Sequence, residues 1–196
     1  GEDNGSAYLV MELVPGEPLS NLIDRDRRLP VDNVLNYIGQ TARALAAKGA
    51  KVVVIDAYAS RTAKGADWHI CPKPGTDGAL AMALINSIIE QGLVDQDYVD
   101  SHTVGFEELK ERAAARTPEW AEGITGVPAA EIRKLAREMA TEQPVGIRIG
   151  VALERHYGGG QTIRAVTCIP ALTGAWRHVG GGVTQFPVWE HPYRFD

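Results

Sequence analysis

Apolar positions along this chain follow two rhythms, short runs of strand length and stripes of helical spacing, and the two alternate. Residues 7–14 (AYLVMELV) form an apolar run closed by Pro15 and Gly16, which predicts a strand and a turn. A short helix is predicted over 19–25. Pro30 opens a longer one, with Val31, Val34, Leu35, Ile38, Ala42 and Leu45 on one face and Gly49 after its end. Residues 51–55 (KVVVI) are almost all β-branched, the pattern of a parallel strand covered on both faces. A shorter strand is predicted at 68–71. Thr76 is the expected N-cap of a helix reaching Gln91, with Leu80, Leu84, Ile85, Ile88 and Ile89 in its apolar stripe.

Helical segments follow at 95–100 and 106–115, and another starts at Pro128 with Ile132, Leu135, Ala136 and Met139. Residues 145–151 (VGIRIGV) predict a strand. Gly158, Gly159 and Gly160 lead into a helix through Ile163, Val166 and Ile169, with Pro170 near its end and Gly174 beyond. The tail is rich in Gly, Pro and aromatic residues. From Gly49 onward strand and helix take turns, so the expected class is α/β, a Rossmann-like parallel sheet with flanking helices. A short strand-plus-two-helix segment precedes it.

Composition narrows the function classes. The 196 residues are 44% hydrophobic and 23% charged, with a net charge of −5. No basic run points to nucleic acid or an anionic membrane. No apolar stretch has the length of a membrane span, and no signal segment is visible. Cys71 and Cys168 lie too far apart in sequence for a local Cys-x-x-Cys metal cluster and are expected to be free thiols. The chain starts at Gly1 and stops at Asp196 without an element ending, so both ends read as cut.

In parallel α/β sheets, ligands bind at loops leaving the carboxyl ends of strands. Two loops fit that rule. The first holds Asp56, Ala57, Tyr58, Ala59, Ser60 and Arg61; the second holds Gly75, Thr76 and Asp77. A strand-end carboxylate can accept from ribose hydroxyls or from the adjacent donors of guanine. Gly75 permits close backbone approach, the helix after it favours anions, and Arg61 suits a phosphate. Asp77 as a plain helix N-terminal charge and Asp56 as a solvated loop acid are equally open from these residues alone.

The order of motifs says more. KVVVID, RTA, AD, PGTDGAL, GLVDQDYV, GFEEL, TPEWAEGITGVPAAEIRKLA and GVALERHYGGGQTIRA…IPALTGAWRHVGGG together resemble the molybdopterin oxidoreductases of the dimethyl sulfoxide reductase family. The resemblance spans residues 49–183. It implies a binding surface for molybdopterin guanine dinucleotide, with 56–61 and 75–77 holding the guanosine end. Val151 and Arg155, beside His156, would face the pterin and metal. It also implies iron–sulfur or membrane-anchor partner subunits, with no direct membrane contact by this chain. The family's Asp-Pro-Arg turn is replaced here by Asp56-Ala57-Tyr58, and Trp176 stands where the family has small residues. The family's metal ligand and iron–sulfur motif lie N-terminal to this region, so the chain alone is expected to bind rather than catalyse.

The first forty-eight residues resemble the hinge region of a bacterial serine/threonine protein kinase, with Met11 as gatekeeper and Glu12 and Val14 at the hinge. No Gly-rich phosphate loop, His-Arg-Asp or Asp-Phe-Gly occurs, which argues against phosphoryl transfer. The expected organisation is a kinase-like fragment over 1–48, the dinucleotide-binding region over 49–183 and an irregular tail over 184–196. The alternatives are a non-catalytic chimeric module without a ligand, or an ATP-binding fragment. Residues 1–48 also fit the preceding strand and helix of the same sheet.

Overall fold

The structure is a computed structural model that describes residues 49–150 and 152–185, with the backbone of 2–3 and 6–7. The elements expected over 7–48, including the kinase-like hinge, fall outside the described residues apart from Ala7. Two compact units divide the chain, residues 1–71 and 72–196.

In the first unit, β1 (Glu2–Asp3) pairs antiparallel with β2 (Ser6–Ala7). The β-branched run forms β3 (Val53–Ile55), which pairs in parallel with β4 (Trp68–Ile70). The register sets Val53 opposite Trp68 and Ile55 opposite Ile70. Between them lies a one-turn helix, α1 (Arg61–Lys64), which sequence periodicity did not predict. The strand is less covered than its composition suggested. Val53 and Val54 are half-buried and Ile55 is 43% exposed. β-branching reports strand preference but does not guarantee a covering layer on each face.

The second unit is built around α2 (Asp77–Glu90). Leu80, Leu84, Ile85 and Ile88 are buried on it, as the apolar stripe predicted, and so are Ala81, Ala83, Asn86 and Ser87. A helix buried on so much of its circumference needs neighbours on several sides. They are α4 (Phe106–Ala114), α5 (Pro118–Thr125), α6 (Ala129–Thr141) and α7 (Gly159–Leu172), while α3 (Gln96–His102) packs on α7. Burying a side chain such as Ile85 or Ile88 stabilises the fold by about 1.5–3 kcal/mol.

β5 (Gly146–Ile149) and β6 (Gly182–Gln185) pair in parallel, from Gly146 opposite Gly182 to Ile149 opposite Gln185. With α7 as the crossover they make a β-α-β unit. The mixed α/β class with parallel strands therefore holds. Among the described residues the parallel pairing is confined to these two-stranded sheets, β3–β4 and β5–β6. No helix among the described residues is long and apolar enough to cross a membrane.

Candidate functional site

The loop after β3 is shaped by its own residues. The Asp56 amide extends the parallel ladder by donating to the Ile70 carbonyl at 3.0 Å. The Asp56 carboxylate then turns back, its Oδ1 accepting the Tyr58 amide at 3.0 Å. One carboxylate oxygen thus fixes the turn, and the other remains an acceptor for a ligand. The ring of His69 bonds the Asp56 carbonyl through Nε2 at 2.8 Å, and the Cys71 thiol donates to the Ala57 carbonyl at 3.4 Å. Ser60 caps α1, its Oγ accepting the Ala63 amide at 3.2 Å.

Ala57, Ala59 and Arg61 are exposed, and the Tyr58 ring is 72% exposed. Arg61, the first residue of α1, has no ion-pair partner among the described residues. The loop thus offers an aromatic face, a carboxylate oxygen and a guanidinium.

In the second unit three backbone segments converge through glycines. Gly75 has φ +76°, and a Cβ there would stand 3.3 Å from Nδ1 of His156. Gly78, in the first turn of α2, lies against Thr162 of α7, where a Cβ would come within 2.8 Å of Oγ1. Gly159 is buried under the 3-10 turn Leu153–Arg155, where a Cβ would stand 2.5 Å from the Leu153 carbonyl oxygen. The 73–77 loop, the 153–156 turn and the start of α7 are therefore neighbours.

Thr76 occupies the N-cap position expected for it, but its side chain does not cap. Its hydroxyl donates to the Lys73 carbonyl at 2.6 Å and its amide donates to the same oxygen at 3.2 Å. Gly158 precedes α7 in the left-handed region, at φ +73°. Neither 14-residue helix has a side-chain cap. Asp77 is half-buried in the first turn of α2, and Arg155 is exposed in the 3-10 turn. Val151 lies outside the described residues.

The ALTG segment is held by a contact that sequence reasoning missed. Arg177 grips Asp95 through two hydrogen bonds, Nε to Oδ2 at 3.1 Å and a terminal nitrogen to Oδ1 at 3.2 Å. The same guanidinium lies 5.1 Å from the Tyr98 ring centre, and Tyr98 stacks on His102 at 4.5 Å. Asp95 also caps α3, accepting the Tyr98 amide at 2.9 Å. That amide, helped by Arg177, lowers the Asp95 pKa from its usual value. Trp176, which stands where the family has small residues, packs its ring on Gly182 at the start of β6. The sequence offered a hint of the cap, an acid at the first position of a predicted helix, but none of the partner.

Among the described residues no group of three or more His, Cys, Asp or Glu side chains is placed to hold a metal ion. A shallow cavity of about 200 Å³, lined by Asn86, Ile89, Glu90, Lys110, Ala113 and Ala114, contains none of the predicted site residues.

The sequence pattern of the molybdopterin oxidoreductases matches residues 30–189. The chain belongs to this family. It is 43% identical over 148 residues to the probable oxidoreductase YoaE of Bacillus subtilis, covering 76% of this chain and 21% of that protein. It is 42% identical over 126 residues to formate dehydrogenase H of Escherichia coli, covering 64% of this chain and 18% of that protein. Among solved structures, acetylene hydratase from Pelobacter acetylenicus superposes with a TM-score of 0.67 at 36% identity, covering 71% of this chain and 19% of that one. The chain spans about a fifth of the length of the curated relatives it matches.

Proposed function

We propose that this chain is a partial molybdopterin guanine dinucleotide-binding region of a molybdenum-dependent oxidoreductase, contributing binding and orientation rather than catalysis by itself. The observation that carries this is the convergence of the Gly75 loop, the Leu153–Arg155 turn and the start of α7 in a member of this family. Backbone amides with an arginine beside them are suited to hydrogen-bond a nucleotide's oxygens. The oxygen and nitrogen groups of the described loops suit the nucleotide-bearing part of such a cofactor.

The roles divide by chemistry. In the first unit Asp56 offers its remaining carboxylate oxygen, and in the second unit Asp77 offers its carboxylate; each by itself suits donors such as the N1–H and amine of guanine or ribose hydroxyls. Tyr58 presents a ring on which a base can stack. Ser60 and the peptide groups of Ala57 and Ala59 set the loop shape, while Arg61 and Arg155 supply positive charge for phosphates. Gly75 and Thr76 carry the chain past His156 into α2. By the family resemblance Val151 is assigned, with Arg155, to the pterin side. When bound, a molybdenum–pterin group supplies two-electron chemistry on a small substrate. Two of the curated relatives are named as dimethyl sulfoxide reductase chains, which favours partner subunits in the parent enzyme.

Isothermal titration of the full chain with guanosine and adenosine diphosphates tests the assignment. Guanosine diphosphate is expected to bind at least tenfold more tightly, and Asp56→Ala or Asp77→Ala should erase that preference. Equal affinities for the two nucleotides would refute it.

A further inference from the structure

Between Asp56 and Tyr58 the loop after β3 is neither helix nor strand, yet its backbone is held at four points. The Asp56 amide donates to the Ile70 carbonyl, and the Tyr58 amide to the Asp56 carboxylate. The Asp56 carbonyl takes Nε2 of His69 at 2.8 Å, and the Ala57 carbonyl takes the Cys71 thiol at 3.4 Å. Three of these four holds come from residues 69–71. His69 and Cys71 stand two apart in extended chain, which puts them on one face, and they reach consecutive carbonyls. A carbonyl oxygen has no proton to give, so Nε2 of His69 carries the hydrogen and Nδ1 of the neutral ring is bare. The β3–β4 pairing does not use this bond, since its register runs from Val53 with Trp68 to Ile55 with Ile70. His69 is half-buried, whereas the loop it holds is exposed at Ala57 and at the Tyr58 ring.

We infer that His69 is a positioning residue for this loop: its ring fixes the Asp56 peptide before a ligand arrives, with the Cys71 thiol as a weaker second hold. The inference rests on the guanosine reading of the Asp56 loop and deepens it. The physical effect is preorganisation. A loop already held in one conformation loses less freedom when a base and its ribose dock, so binding tightens without a new contact to the ligand. His69 acts through the Asp56 backbone, and the part it plays is that of a donor. A glutamine at this position keeps an N–H to offer, and a leucine does not.

The experiment compares the wild-type full chain, His69→Gln and His69→Leu. Two readouts need no ligand. Nitrogen NMR of the neutral His69 ring should find the hydrogen on Nε2. Amide exchange at Tyr58 should quicken in His69→Leu and stay near wild type in His69→Gln. The Asp67 amide, bonded to the Val52 carbonyl at the other end of the β3–β4 pair, should be unmoved in both. The third readout is titration with guanosine and adenosine diphosphates. His69→Leu should weaken guanosine diphosphate binding roughly three- to tenfold, the span of one neutral hydrogen bond, and His69→Gln should restore it to within twofold. A hydrogen on Nδ1, or unmoved Tyr58 exchange or guanosine diphosphate affinity in His69→Leu, would overturn this inference and leave the guanosine reading standing. Equal loss of protection at Tyr58 and Asp67, or a His69→Leu chain that does not fold, would make the ring a support of the sheet and would also overturn it. A wild type without preference for guanosine diphosphate would overturn the guanosine reading and this inference together.

Discussion

Asp95 is asked to do two things at once, and substitution can separate them. Its carboxylate caps α3 through the Tyr98 amide and pairs with Arg177 through both oxygens. Asp95→Asn keeps a side-chain oxygen for the cap but removes the charge. Asp95→Ala removes both. The pair is only partly shielded, with side chains 30% and 40% exposed, so it belongs at the modest end of ion-pair strength. Losing it costs about 0.5–1 kcal/mol. Losing the cap costs about another 1 kcal/mol. Asp95→Asn should therefore destabilise by about 0.5–1 kcal/mol and Asp95→Ala by about 1.5–2 kcal/mol. With a urea dependence of about 2 kcal/mol per molar, the alanine variant shifts the unfolding midpoint by roughly 0.7–1 M.

A double-mutant cycle with Arg177→Ala isolates the pair, and the coupling should be about 0.5–1 kcal/mol. The pH dependence follows from the sign of the shift. Asp95 is more acidic in the folded state, so its contribution is complete above the unfolded carboxylate pKa and fades as pH falls through the lower folded value. The gap between wild type and Asp95→Asn should hold steady from pH 7 to 5 and close below about pH 4. Equal destabilisation by Asn and Ala at pH 7, or a coupling near zero, would refute the division of labour assigned to this side chain.

Three other outcomes can be checked directly. Cys71 is exposed and Cys168 half-buried with its pKa raised by burial, so a thiol reagent at pH 8 should give one fast and one slow phase, and Cys71→Ser should abolish the fast one. Asn86 is buried and donates to the Ala113 carbonyl and the Glu90 carboxylate, so Asn86→Leu should cost about 1 kcal/mol in urea unfolding by removing both bonds, the Ala113 carbonyl keeping the Arg116 amide. Gly159→Ala should destabilise by about 1–3 kcal/mol and lower Tm, because its Cβ has two carbonyl oxygens in the way.

What could be read from the sequence was what local patterning determines. The helix expected from Thr76 to Gln91 is α2, Asp77–Glu90, because a wide apolar stripe and a following glycine are signals carried within the segment itself. The segments beginning at Pro128 and at the glycine run became α6 and α7 for the same reason. α5 went unpredicted although Thr117 and Pro118 form a cap and first-turn signal, since its eight residues bury too few apolar side chains to show a period. β6 reads GVTQ, with no alternation to find; it is a strand because β5 pairs with it in parallel. Arg177 and Asp95 are 82 residues apart, and only the fold brings them together. Thr76 illustrates the opposite error. Its position was legible, but the direction of its hydroxyl was decided by the Lys73 carbonyl nearby.

The same distinction governs the candidate site. Asp56 and Asp77 could be named from strand and helix ends, yet the sequence could not say that one oxygen of Asp56 is consumed by its own turn. Likewise the letters GGG at 158–160 carry one chemical statement, permission for close approach, while the coordinates give the first two glycines different causes. Backbone conformation accounts for the first and crowding by the Leu153–Arg155 turn for the second. Residues whose identity the fold explains can be conserved in any molecule with this architecture, whatever it binds. The two aspartates are weak markers of a ligand for the same reason, since a helix start and a loop turn would tolerate their charges anyway.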